Sequence, residues 1–100
     1  MDQKIDIEDP FARRLLTQYL ERRRADLARL RDALAQSDYA SIELTGHNLS
    51  GSGAAYGLDR VSRLGADLEL AARSRHAERV RDVLDQLECF VASVLITRST

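Results

Sequence analysis

One hundred residues, 44% of them hydrophobic and 31% charged, describe a single soluble domain with an adequate but not large core. A formal net charge of −1 excludes the basic excess of a dedicated nucleic-acid binder, and no 18-residue apolar run is present to insert in a membrane. The single cysteine, Cys89, excludes an internal disulfide, and Met1–Asp6 lacks the apolar run of a signal peptide, so a reducing, cytoplasmic setting is expected.

Residues 1–8 read as an N-terminal arm or a short extra helical turn, with the domain proper over 9–97. Asp9 followed by Pro10 is a helix start, because aspartate caps and proline suits the first helical position. No breaker follows until about Gln36. Phe11, Leu15, Leu16, Tyr19, Leu20, Leu27, Leu30 and Leu34 recur in three- and four-residue steps and mark the buried face. The clusters Arg13-Arg14 and Arg22-Arg23-Arg24 alternate with acids and apolar residues and read as a solvated helix face. Ser37-Asp38 supply a stop and a new cap. A second helix is expected over Tyr39–Tyr56, with Tyr39, Ile42, Gly46, Leu49, Gly53 and Tyr56 inward. Gly57 suits the left-handed residue after its end. Asp59 is expected to cap a third helix with Val61, Leu64, Leu68 and Ala71 or Ala72 inward, and Arg73–His76 forms the next junction. A fourth helix would bury Val80, Val83, Leu84, Leu87, Val91, Val94 and Leu95, with Cys89 as a small core residue in that apolar segment. Thr97–Thr100 is a polar tail expected to fray. There is no strand alternation, repeat or low-complexity segment. Four helices on short connections predict an all-α, antiparallel up-down four-helix bundle.

The segment His47-Asn48-Leu49-Ser50-Gly51-Ser52-Gly53 interrupts this pattern. Gly46, Gly51 and Gly53 each cost roughly 1 kcal/mol relative to alanine inside a helix, so their presence needs a reason. With 100° per residue and Ile42 at the centre of the buried stripe, His47 falls about 140° away and is exposed. Gly46 and Gly53 lie on the inward stripe, where helix packing explains them. Gly51 points outward beside His47, where packing does not. At neutral pH an exposed imidazole is largely unprotonated, and its free nitrogen can attack and carry an activated phosphoryl group. Glu43, one turn before His47, is placed to accept a hydrogen bond from the other ring nitrogen.

The stretch His47–Leu58 resembles the signature of histidine-containing phosphotransfer (HPt) domains, with His47, Leu49, Gly51, Ser52 and Gly57 at the family's positions. Leu15–Leu34, the Gln36-Ser37-Asp38 junction and Leu64–Glu69 extend the resemblance over most of the chain. It implies a four-helix bundle without catalytic activity of its own. His47 would take phosphoryl from a receiver-domain aspartate and hand it to another receiver, in a relay fed by a hybrid histidine kinase. Mg²⁺ would come with the receivers, so no cofactor and no metal is expected here, and no His/Cys/Asp cluster has ligand spacing. One departure stands out: the family's lysine three residues after the histidine is Ser50, which offers a hydroxyl but no charge. Antiparallel packing would bring Arg23 or Arg24 of the first helix, or Arg63 of the third, level with His47 to compensate.

His76 reads as a surface residue at a helix start, Tyr39 and Tyr56 as packing residues, and Ser52 as bonded to a carbonyl one turn back. A docking module that binds a receiver or kinase without carrying phosphate is the competing reading, and Ser50 favours it. A hydrolase using His47 as base lacks a nucleophile–base–acid set. A monomer is expected, although Leu16, Leu44 and Leu70 leave spare apolar surface on which a homodimer could form.

Overall fold

The computed structural model describes residues 9–98, with side chains placed as far as Val94. Four helices fill it: α1 (Pro10–Ala35), α2 (Tyr39–Ala55), α3 (Asp59–Arg73) and α4 (Ala77–Arg98), with no strand among the described residues. The expected arm at 1–8, the inward Leu95 and the end of the polar tail lie outside what is described.

Three of the four helices begin where a side chain satisfies one of their first N–H groups. The Asp9 carboxylate accepts from the Phe11 N–H at 3.0 Å, and Asp38 accepts from the Ser41 N–H at 3.2 Å. His76 caps α4, its Nδ1 accepting from the Arg79 N–H at 3.1 Å. Asp59, expected as a cap, is instead the first residue of α3. The cap position is Leu58, which has no side-chain acceptor to offer, and Asp59 favours the helix N-terminus through its charge alone.

The three connections share one closure. The Asp38, Leu58 and His76 N–H groups donate five residues back to the Ala33, Gly53 and Ala71 carbonyls at 2.7–3.0 Å, with a second bond inside each. This double closure needs a left-handed residue just past the helix end. Gly57 supplies it at φ +72, as expected, but Ser37 (φ 56) and Arg75 (φ 55) do so with side chains. The residue that ends each closure also begins the next helix, so the chain reverses within three residues.

Contacts across the helices fix their directions. Tyr19 meets Ser52 while Arg29 and Leu30 line a depression with Ser41 and Thr45, so α1 and α2 are antiparallel. Arg79 pairs with Asp67 and Arg60 reaches Gln86, so α3 and α4 are antiparallel. Arg31 binds both Asp85 and Glu88 at 2.8 Å, while Arg24 faces Val91 and Ala92, which closes the ring between α1 and α4. Apart from the Tyr19 hydroxyl, the core between them is apolar among the described residues: Leu20, Ile42, Leu49, Leu68, Val80, Val83, Leu84, Leu87 and Val91 are essentially inaccessible. None of the described helices is long and apolar enough to cross a membrane.

Several expected core positions move. Phe11 and Leu15 are 66% and 40% exposed, whereas Leu16, read both as part of the buried face and as spare apolar surface, is buried at 6%. The stripe on α1 therefore runs through 16, 19, 20, 27 and 30, and its first turns project past the end of α2. Cys89 is exposed, because it lies 200° round α4 from Leu87; its apolar neighbours in sequence are not its neighbours in space. Phe90 takes the core position instead. Tyr56 follows α2 as its C-cap and is 42% exposed, with its ring stacked on Tyr19 at 4.3 Å. Leu44 and Leu70 are exposed, as their places off the stripes require.

Candidate functional site

The fold presents His47 by clamping α2 against α3 backbone to backbone. A Cβ on Gly46 would stand 2.7 Å from the Glu69 N, one on Gly53 2.6 Å from the Ser62 N, and one on Gly65 2.5 Å from the Ser50 N. No side chain fits in that seam. The Ser62 hydroxyl donates to the Ser50 carbonyl at 2.9 Å and ties the two backbones further. The close approach explains Gly46 and Gly53 and adds Gly65. Gly51 differs: nothing lies within 4 Å of the place its Cβ would take.

His47 stands on the solvent side of this seam with its side chain 70% exposed. Its Nδ1 is 3.4 Å from a carboxylate oxygen of Glu69 on α3. Arg73 also binds Glu69, at 3.0 Å one turn along α3, and reaches across to Glu43 at 3.2 Å. The carboxylate facing the imidazole is thus Glu69, which His47 and Arg73 share, and not Glu43, which pairs with Arg73. The reason is geometric. α3 approaches α2 closely enough for a side chain of the facing helix to reach the ring from the side, while Glu43 extends to the cation opposite. A shallow depression of about 330 Å³ lies beside the ring, lined by Ala40, Glu43, Leu44, His47 and Glu69.

The compensating cations expected near Ser50 separate into three outcomes. Arg23 is bound by Asp26 at 2.8 Å and lies over the Tyr19 ring at 4.2 Å. Arg24 lines a groove between α1 and α4 with Leu27, Ala28, Arg31 and Glu88, on the side of α1 turned from α2. Arg63 falls within the stretch of α3, Ser62–Gly65, that lies against Ser50, and it is exposed with no ion pair among the described residues. Ser52 bonds the Tyr19 hydroxyl at 2.8 Å rather than a carbonyl of its own helix.

Glu69 and Arg73 were not singled out as partners of His47 by the spacing on α2, since they come from another helix. A signal existed on α3. Besides the core stripe at 61, 64, 68, 71 and 72, positions 62, 65, 69 and 73 form a second stripe in three- and four-residue steps, made of small or polar residues. A helix with two such stripes packs on two neighbours, and the second stripe is the one facing α2.

A family model, the Hpt domain, matches residues 14–94. The chain belongs to the Hpt domain family, whose members are phosphotransfer modules of two-component signalling that meet receiver domains. No curated protein and no solved structure gave a match.

Proposed function

We propose that this chain is a cytoplasmic phosphoryl carrier that accepts phosphoryl from a receiver-domain aspartate on His47 and passes it to a second receiver, downstream of a hybrid histidine kinase. The observation that carries this reading is the placement of the ring. Nδ1 faces the Glu69 carboxylate at 3.4 Å while the side chain is 70% exposed, with open space over Gly51 one turn on. A carboxylate at Nδ1 favours the tautomer with the proton there, which leaves the lone pair on Nε2. That nitrogen attacks the phosphorus of the acyl phosphate. The N–P bond forms, the P–O bond to aspartate breaks, and the aspartate leaves as a carboxylate. The imidazole becomes positively charged, and Glu69 stabilises the proton on Nδ1. Transfer to the next receiver runs the same steps in reverse. Arg63 supplies the positive charge that Ser50 lacks.

Phosphotransfer from a panel of phosphorylated receiver domains to the wild type and to His47→Gln tests this. Acid-labile, base-stable phosphate on the wild type alone is the expected result. Receiver binding without transfer would replace the carrier with the docking module that Ser50 suggests.

A further inference from the structure

The face of α2 turned from α3 borders a second feature, a groove of about 440 Å³ between α1 and α2. Arg22, Arg23, Asp26 and Arg29 form its α1 wall, and Asn48 and Ser52 stand on the α2 side. Three guanidinium groups and one carboxylate leave two positive charges in excess. Arg23 and Asp26 are largely buried and paired with each other at 2.8 Å, so they belong to the scaffold. Arg29 shares Asp26 and is 73% exposed. Arg22 is exposed and has no ion pair among the described residues. Elsewhere the arginines that bridge helices are saturated: Arg31 by Asp85 and Glu88, Arg79 by Asp67 and Asp82. The excess is local to α1, which holds seven arginines against three acidic residues in a chain of net charge −1.

We infer that this groove is a second docking surface, which takes an acidic segment of the receiver domain that exchanges phosphoryl with His47. The inference rests on the carrier reading above. Asn48 follows His47 directly and stands 100° round α2, so the acceptor and the groove flank one helix. A protein interface of about 800 Å² per side is roughly 30 Å across, about three times the width of a helix. A partner centred on His47 therefore covers both edges of α2, including Arg22 and Arg29. Exposed guanidinium groups in local excess over carboxylates at the rim of an interface select an acidic partner and raise its association rate.

The test uses the full chain and a receiver domain that phosphorylates His47. Charge reversal at both positions, R22E with R29E, is expected to weaken receiver binding at low salt by tenfold or more and to flatten its salt dependence. Single-turnover transfer at saturating receiver stays at the wild-type rate, since neither arginine touches His47. The milder pair R22Q with R29Q keeps Asp26 bound to Arg23 and should show a smaller loss in the same direction, with helix content unchanged by circular dichroism. Arg81→Glu, at an exposed position of α4, serves as the control and should bind normally. Wild-type affinity and salt dependence in both double variants would overturn the inference and leave the carrier function standing, as would an equal loss in the Arg81 control. Absence of transfer to His47 from every receiver would overturn the carrier function and this inference with it.

Discussion

Gly51 separates stability from function at a single residue. Nothing surrounds its missing side chain, so Gly51→Ala should gain about 1 kcal/mol of helix propensity and raise Tm. The same methyl group intrudes where a partner's phosphorylated aspartate must approach, so phosphotransfer should slow. A variant that melts higher and transfers equally well would remove the role given to the open space. Arg63→Ala should slow transfer by on the order of tenfold, equivalent to about 1.4 kcal/mol, measured in single-turnover assays against Arg24→Ala, which should transfer normally. Asp38 carries a different prediction. The Ser41 hydroxyl and N–H hold its carboxyl below the usual aspartate value. A depressed folded-state pKa contributes stability above the unfolded pKa and loses it as the pH falls through the folded one. Replacing Asp38 with asparagine, which still caps, should therefore reduce the loss of Tm on acidification below pH 4. The exposure of His47 was legible in the sequence because 100° per residue is a property of one helix. Its partner Glu69 was not, because no spacing within α2 says which side chain of α3 reaches the ring.

The α2/α3 pair is held by absence of side chains. Gly65→Ala places a Cβ 2.5 Å from the Ser50 backbone, which cannot rotate away. The helices must part, at a cost of about 2 kcal/mol seen as a lower denaturation midpoint, and receiver transfer should fall with it because Glu69 moves off His47. The connections make the opposite case. Ser37 holds a left-handed conformation that glycine adopts freely, so Ser37→Gly should stabilise the bundle by up to about 1 kcal/mol. Arg75 should gain less from the same change, because its guanidinium lies over the Tyr39 ring at 5.1 Å and that contact would go. Helix existence and the Asp9 and Asp38 caps could be read from sequence because they follow from local residue chemistry. The closure at Ser37 and Arg75 could not, since its usual sign is glycine and only Gly57 shows it.

At the scale of the molecule, structure and chemistry occupy different places. The core holds no charged side chain among the described residues, and His47, Glu69, Arg73 and the arginines of α1 all lie outside it. Loss of function at His47 should leave the melting curve unchanged, whereas Leu84→Ala, at a fully buried position of α4, should cost about 2–5 kcal/mol. The four antiparallel helices were legible because short connections leave little choice of packing. The errors fell at the margins of that reading. Phe11 and Leu15 left the stripe at the start of α1, Tyr56 left it at the end of its helix, and Cys89 was assigned by the company it keeps in sequence rather than by its angle.

The groove beside α2 also makes the chain its own optical instrument. There is no tryptophan, and the three tyrosines are Tyr19, Tyr39 and Tyr56. Two of them stack at 4.3 Å on the groove wall, with the Arg23 guanidinium over the Tyr19 ring. Stacked phenol rings couple their transitions, so near-ultraviolet dichroism and tyrosine emission from an unlabelled sample report on that corner of the molecule. A partner that settles into the groove announces itself in those signals, while one that touches only the opposite face of the bundle leaves them silent.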